Sequence, residues 1–191
     1  MKHKGTVTIE TESLILRRYQ SEDAASAFKN WMSSEEVTRY LTWYPHKSVE
    51  ESKAYIDECC IKNYDDPAFY NWVITDKETG EAIGSISVVD LKEDVDCVEV
   101  GYCLSERYWG RGLMTQALFS VIRFFFEEVE ARRIQATHDS RNPASGKVME
   151  KCGMLYEGTL RQYNKNISGI CDSVMRAILR EDYLKQTEKE R

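Results

Sequence analysis

One segment, Glu106-Arg107-Tyr108-Trp109-Gly110-Arg111-Gly112-Leu113-Met114-Thr115, constrains this chain more than any other. Ahead of it, Val98-Glu99-Val100-Gly101-Tyr102-Cys103-Leu104 alternates in the manner of a half-buried strand; behind it, Leu113, Gln116, Ala117, Ser120, Val121 and Phe124 recur at helical spacing. The segment therefore reads as strand, glycine turn and helix. Two glycines let a ligand approach the backbone with no Cβ in the way, and the first N–H groups of the helix point into the turn. Such a turn suits an anion, phosphate above all. A Gly-x-Gly turn is also an ordinary strand-to-helix connection, so alone it decides nothing. Its spacing is neither the Gly-x-x-x-x-Gly-Lys-Ser/Thr of nucleoside triphosphatases nor the Gly-x-Gly-x-x-Gly of dinucleotide folds.

Around this segment the pattern predicts an α+β fold. Ser13-Leu14-Ile15-Leu16-Arg17-Arg18 reads as a first strand, and Ser21-Glu22-Asp23-Ala24 opens a helix with a capping hydroxyl and with Ala24, Ala27, Phe28 and Trp31 on one face. A break at Ser33-Ser34 leads to a short helical stretch ending near Tyr40. Ser48-Val49-Glu50-Glu51 is a capping box for a helix to about Lys62. Residues 68–75 and 81–90 form a hairpin, an acidic turn follows at 91–96, and the strand holding Glu99 completes a meander. After a helix reaching about Glu128, Arg133-Ile134-Gln135-Ala136-Thr137-His138 resumes as a strand. A strand–helix–strand unit places it parallel to the Glu99 strand, the junction outside which α/β folds bind ligands. Asn142-Pro143-Ala144-Ser145 starts another helix that Gly153 ends, residues 155–163 and 173–179 pair around a turn at 164–169, and Arg180 begins a tail helix.

Composition narrows the function classes. The 191 residues, 42% of them hydrophobic, support one domain with a core from about residue 13 to 183, and the charged ends, 1–4 and 186–191, are expected to fray. Lys2 and Lys4 have no apolar run behind them, and no apolar stretch has bilayer length, so the expectation is a cytoplasmic protein without a membrane partner. Among six cysteines, Cys59 and Cys60 are adjacent and none forms a Cys-x-x-Cys pair; with only three histidines, they read as reduced thiols, with no metal. A net charge of −6 argues against nucleic-acid binding and is compatible with a cationic small molecule or peptide.

Arg107-x-x-Gly110-x-Gly112, following Glu99-x-Gly101-Tyr102 and leading into Thr115-x-Ala117-Leu118, resembles the acetyl-coenzyme A pyrophosphate loop of the GCN5-related N-acetyltransferases (GNAT). Asn142-Pro143-Ala144-Ser145, Lys151-Cys152-Gly153-Met154, Glu157-Gly158-Thr159-Leu160-Arg161 and Gly169-x-x-Asp172 resemble its branch of ribosomal-protein N-terminal acetyltransferases, RimJ/RimL-like. The resemblance implies a central, mixed, mostly antiparallel twisted sheet flanked by helices and splayed between its fourth and fifth strands. It implies acetyl-CoA as co-substrate and an amine acceptor, with the chain a monomer or homodimer.

By the same resemblance, main-chain groups at Tyr102, Cys103 and Leu104 bind the pantetheine arm. The loop from Tyr108 through Trp109, Gly110, Arg111, Gly112 and Leu113, with Thr115, holds the pyrophosphate. Arg107, inside the motif, is better placed than Arg111 to add charge, though either is equally read as a solvated side chain. Asn142 would bond the pantetheine arm or simply form the turn before proline. The aromatic loop Leu41-Thr42-Trp43-Tyr44-Pro45-His46, with Trp43, Tyr44 and His46 as its candidate contacts, would face the acceptor, or pack back on the core.

Acetyl transfer needs an uncharged amine, a donor for the developing oxyanion and a proton for the leaving thiolate. Glu99, a lone acid in an apolar strand, is the candidate base, with Asp172 or ordered water as alternatives; Glu99 is also readable as a structural acid paired with an arginine. Many relatives protonate the thiolate with a tyrosine four positions after the equivalent of Ser145. That position here is Met149, and the resemblance to RimL-like enzymes implies Ser145 for the role instead, alongside or in place of a helix-start hydrogen bond. An α-amine with pKa ~8 is about one-tenth neutral at pH 7, a lysine-like amine only about once in 2500 molecules. The RimJ/RimL-like resemblance implies a protein or peptide N-terminus as acceptor; the alternatives are a small-molecule amine (polyamine, amino sugar or amino-acid derivative) and a non-catalytic acyl-CoA-binding module.

Overall fold

The computed structural model describes residues 1–189, and the alternating segments join in one eight-stranded sheet. Its strands are β1 (Ile9–Glu10), β2 (Leu14–Arg17), β3 (Asn71–Asp76), β4 (Ala82–Lys92), β5 (Cys97–Leu104), β6 (Arg133–Asp139), β7 (Leu155–Asn166) and β8 (Gly169–Leu179), in the order β1-β2-β3-β4-β5-β6-β8-β7. Every neighbouring pair is antiparallel except β5 and β6, which are parallel as the strand–helix–strand reading requires. The two-residue β1 is too short to show alternation and shifts the strand count by one. The predicted fourth and fifth strands are β5 and β6.

Those two strands pair only at Cys97↔Arg133, Val98↔Ile134 and Glu99↔Gln135. Beyond Glu99, β5 continues on β4 as far as Gly84↔Leu104, while β6 continues on β8 to Asp139↔Ser173. Each strand keeps its outer partner and loses the inner one. The sheet opens there.

Each face carries its own layer. On the first face lies α4 (Leu113–Phe124), extended by a wider π-helical turn through Val129, where Glu130 in the left-handed region stops it. Ala117, Leu118, Val121 and Ile122 are fully buried against Val98, Val100 and Ile134. Each buried leucine, valine or isoleucine contributes about 1.5–3 kcal/mol. The C-terminal end of α4 is fixed by aromatics: Phe125 meets Tyr70 edge-on at 4.9 Å, and Tyr70 stacks on Trp72 at 5.7 Å. On the second face, α1 (Asp23–Ala27), α2 (Glu35–Thr38) and α3 (Val49–Tyr55), with the π-helical turns that continue α1 and α3, bury Trp31, Val37 and Ile56 against Val73 and Ala82.

Caps follow the sequence in part. Ser34 and Ser48 accept from the N–H groups of Val37 and Glu51, and Glu51 reaches back to the Lys47 N–H, one residue before the position of an ideal capping box. The start of α1 has no capping side chain. Asp23 instead accepts from the Gln20 N–H and binds Arg17 through two bonds of 2.8 Å. The N-terminus is tied rather than frayed: the Met1 amine donates to Asp96 at 3.0 Å and the Lys2 N–H to the Val129 carbonyl. At the other end α6 (Arg180–Lys189) is helical, and residues 190–191 of the expected frayed tail lie outside the described residues. The β7–β8 turn, expected at 164–169, shortens to Ile167-Ser168, because a bulge between Leu160 and Asn164, with Gln162 left-handed, lets both strands continue.

Candidate active site

Where β5 and β6 part, a cleft of about 470 Å³ passes through the sheet. Its walls come from both layers: Tyr102, Cys103 and Leu104 of β5, the glycine turn and the first turn of α4, α5 (Pro143–Lys151), and on the second face Glu36 to Leu41. Only a gap in the strand pairing lets one cavity touch both helical layers.

The glycine turn is built for close approach. Gly110 (φ +75°) and Gly112 (φ +77°) are left-handed, and a Cβ on either would meet nothing within 4 Å, so the space above them is open. The first bond of α4 runs from the Gln116 N–H to the Gly112 carbonyl, leaving the amides of Leu113, Met114 and Thr115 without intrahelical acceptors. Together with the helix dipole they form an anion-binding cradle. The residues present fit a phosphate group. Two expected members are otherwise engaged: the Tyr108 N–H donates to the Ser105 carbonyl at 2.9 Å and the Trp109 N–H to the Glu106 carbonyl at 3.1 Å, within a 3₁₀ turn. The Trp109 indole N–H also donates to the Leu104 carbonyl at 2.7 Å, which removes one acceptor from the strand edge expected to be open.

Neither arginine lines the cleft. The Arg111 guanidinium lies 5.1 Å from the Tyr108 ring centre, a stack on its own loop, and Arg107 is exposed on the 3₁₀ turn.

Opposite the glycine turn stands α5, with Pro143 in its first turn and the Asn142 side chain accepting from the Ser145 N–H at 3.3 Å. Asn142 thus caps the helix and lines the cleft at once. Tyr102 reaches this turn from β5. Its hydroxyl donates to the Ser145 carbonyl at 2.9 Å and accepts from Ser145 Oγ at 3.0 Å. Burial pushes the Tyr102 phenol well above its ordinary pKa, against a smaller opposing effect of the Ser145 bond. Met149, at the position of the relatives' tyrosine, is 1% exposed and belongs to the core.

Glu99 sits on the other face of β5. Alternation sends Val98, Val100 and Leu104 into the α4 layer, Tyr102 toward α5, and Glu99, Gly101 and Cys103 to the second face. Its carboxylate accepts from Gln135 Nε2 (2.8 Å) and Thr137 Oγ1 (3.2 Å), both uncharged donors on β6. The arginine partner considered from the sequence is not what holds it: Arg133 binds Gln135 and Glu157. Glu99 lies at the last paired position before the gap and is not among the residues lining the cleft. The Asp172 carboxylate accepts from the Gln162 N–H at 2.8 Å and so orders the β7–β8 hairpin.

The aromatic loop packs back. Trp43 rests on the second-face core with His46 5.6 Å away, His46 is further held by Ser52 and Tyr55, and Tyr44 is 74% exposed. None of the three lines the cleft. That wall belongs instead to Glu36, Val37, Arg39 and Tyr40, which the sequence reading passed over, and to Leu41, the first residue of the loop expected to face the acceptor. They are held by the β7–β8 turn, through Ile167 N–H to the Leu41 carbonyl (3.1 Å) and Ser168 Oγ to the Arg39 carbonyl (2.8 Å). Nothing local in the sequence announces a contact spanning over 120 residues. Ala144, Lys147, Val148 and Lys151 were also missed, though their helical spacing marks one face of α5.

Among the described residues no cluster of three or more histidine, cysteine or acidic side chains could hold a metal, and no helix is long and apolar enough to cross a membrane. All six cysteines are free.

Comparison with known proteins fits this geometry. A family model described as "Acetyltransferase (GNAT) domain" matches residues 13–155. The uncharacterized N-acetyltransferase p20 of Bacillus licheniformis is 30% identical over 176 residues, 92% of this chain and 98% of that protein. The ribosomal-protein-serine acetyltransferase of Escherichia coli is 34% identical over 82 residues, 43% of this chain and 46% of its own. Among solved structures, RimL, the ribosomal L7/L12 α-N-protein acetyltransferase in complex with coenzyme A, superposes with a TM-score of 0.80 at 20% identity, over 91% of this chain and 98% of that one. A sheet parted between β5 and β6, a glycine turn leading into α4 and a match across most of the chain agree: the protein belongs to the GNAT family and is an N-acetyltransferase.

Proposed function

We propose that the chain transfers an acetyl group from acetyl-CoA to the N-terminal α-amine of a protein or peptide. The observation that carries this is the cleft lined from both sheet faces, with an anion cradle and Ser145 on one side and Glu99 at the edge of the gap on the other. When bound, acetyl-CoA supplies the thioester. The amides of Gly110 to Thr115 bind its pyrophosphate, and Lys147 and Lys151 add positive charge along the same wall. The free edge of β5 beyond Glu99, with Asn142, holds the pantetheine arm. Glu99 takes the proton of the incoming amine, and Ser145 Oγ bonds the departing sulfur.

An α-amine suits a site with one carboxylate held by neutral donors, because about one-tenth of such amines are already neutral at pH 7. The similarity to a ribosomal-protein-serine acetyltransferase supports the same choice. A small amine is the second reading, motivated by Glu36 on the cleft wall, an acid available to a second cationic centre. Acetyl-CoA-dependent thiol release with a library of peptide N-termini and a panel of small amines separates the two. Peptide acetylation is expected; turnover confined to polyamines or amino sugars would replace the first reading by the second.

A further inference from the structure

Tyr102 and Ser145 form a closed pair on the cleft wall. The tyrosine hydroxyl gives its hydrogen to the Ser145 carbonyl and receives the hydrogen of Ser145 Oγ, at 2.9 and 3.0 Å. In that arrangement the serine hydrogen points at the tyrosine, not into the cleft. Ser145 cannot then hydrogen-bond a leaving sulfur unless its partner changes role.

We propose that Tyr102 is a positioning residue whose hydroxyl switches from the Ser145 carbonyl to Ser145 Oγ during turnover, freeing the serine hydrogen for the thiolate. This rests on the reading that Ser145 meets the sulfur of acetyl-CoA. Both hydroxyl hydrogens rotate about single C–O bonds, so the switch moves no heavy atom. In the resting state the chain of bonds runs Ser145 Oγ–H to Tyr102 Oη–H to the Ser145 carbonyl. In the reacting state it runs Tyr102 Oη–H to Ser145 Oγ–H to sulfur. The amine nitrogen bonds to the acetyl carbon and gives its proton to Glu99, the carbon–sulfur bond breaks with its electron pair going to sulfur, and the thiolate held by Ser145 Oγ–H then takes a proton from water while Glu99 returns its own to water. Neither hydroxyl has to ionise.

Two further observations favour this. The buried Tyr102 phenol holds its proton well past neutral pH, which suits a group that directs a hydrogen bond and does not act as an acid. Met149 is sealed in the core, so the position that provides a tyrosine in many relatives provides none here, whereas β5 delivers a phenol to Ser145, one turn earlier on α5. Bonds in series polarise one another, so the two-hydroxyl chain stabilises a thiolate more than a lone serine does.

The test is Tyr102→Phe, which keeps the ring and deletes the switch. It should lower kcat by about 10- to 100-fold, the range for losing one hydrogen bond that supports a charged group, with KM for acetyl-CoA within about twofold. Ser145→Ala and the double variant should then fall to the same rate, because the pair acts as one unit. With acetyl-seleno-CoA, whose selenolate leaves more readily, the defect of Tyr102→Phe should shrink; a merely structural loss would slow both donors alike. Unchanged kcat in Tyr102→Phe, or additive losses in the double variant, would overturn the proposal while the acetyltransferase reading stands. Wild-type protein that binds acetyl-CoA in a calorimeter and releases no thiol with any amine would overturn both. Should Tyr102→Phe melt below the assay temperature, 3-fluorotyrosine at position 102 retains the ring and is a stronger donor, and a kcat below wild type would refute the switch.

Discussion

Replacing Glu99 by glutamine separates chemistry from packing, because the surroundings set the structural penalty. A glutamine at this position must turn its NH₂ toward one of two donors. Gln135 cannot reverse without giving up its bond from Arg133 Nε (2.9 Å), whereas the Thr137 hydroxyl rotates freely and can accept. The NH₂ therefore settles on Thr137, one bond reverses, and the other weakens from charge-assisted to neutral. The cost is about 0.5–1.5 kcal/mol, a fall of roughly 2–5 °C in Tm for a chain of this size. Loss of a positioned base, in contrast, lowers turnover by about 10²–10⁴, or about 3–5 kcal/mol of barrier. Stability and rate thus move by clearly different amounts. The assay is kcat/KM between pH 6 and 9 on both proteins, beside melting curves. The variant should recover as pH rises, because each unit below the pKa of the amine, ~8, changes its neutral fraction nearly tenfold. Normal turnover of the variant at pH 7 would refute Glu99 as the base and leave ordered water as the acceptor of the proton.

Gly112→Val should weaken coenzyme binding at least tenfold, measured by calorimetry, since its side chain would project into open space above the cradle; unchanged affinity would place the pyrophosphate elsewhere. The left-handed φ of +77° adds a stability loss of roughly 1–2 kcal/mol, which a melting curve reads separately. Gly146→Ala would put a methyl 2.6 Å from His138 Nε2, so α5 should shift at its first turn, with a Tm loss equivalent to about 1–3 kcal/mol and a lower kcat. Burial holds the His138 and His46 pKa values below the ordinary 6.5, so the unfolded chain takes up protons first on acidification. Stability should be full above pH 6.5 and decline as pH falls through the folded values, and His138→Gln should flatten that slope in a Tm–pH series.

What was legible in the sequence was whatever repeats at a fixed period. The strand–turn–helix around Gly110 and Gly112 follows from period-2 and period-3.6 patterns on either side, and the parallel pairing of β5 with β6 follows from the helix between them. What failed was long-range or solitary. The two residues of β1 show no period. Trp43 and His46 were candidates because aromatics in a loop look like a ligand wall, but their rings find the second-face core first, and burial there is worth more than exposure. The wall is made by the first residue of that loop, Leu41, and by Tyr40 before it, placed by the turn at Ile167 and Ser168. Ser21 resembled a cap, yet the bidentate Arg17–Asp23 pair organises the start of α1. Asn142 and Ser145 lie at the start of α5, the helix start read from the sequence, and line the cleft, and the tyrosine that holds Ser145 could not be read, since Tyr102 lies 43 residues away on another element.

The two halves of the cleft are held by different means. The donor side rests on interactions that converge on one turn: Asn142 caps it, Tyr102 bonds Ser145 twice, and Gly146 lets His138 close against the helix from below, with His138 Nδ1–H fixed on the Asp139 carbonyl at 2.8 Å. Removing any one leaves the others, so Ser145 is overdetermined. The opposite wall rests on two bonds from a hairpin turn and on Arg141, whose guanidinium lies 5.8 Å from the Tyr40 ring while binding the buried Asp139 carboxylate. Asp139 is held well below the usual carboxylate range, mainly by Arg141, and also accepts from Asn166 at 2.7 Å in the same hairpin. One carboxylate therefore links β6, the α5 approach and the β7–β8 turn that carries Tyr40 and Leu41. In the proposed reading, a change at Ile167 or Ser168 would reshape the acceptor side first, because those residues bond the Leu41 and Arg39 carbonyls directly, whereas they reach the donor side at one remove, from Ser168 through Asn166 to Asp139.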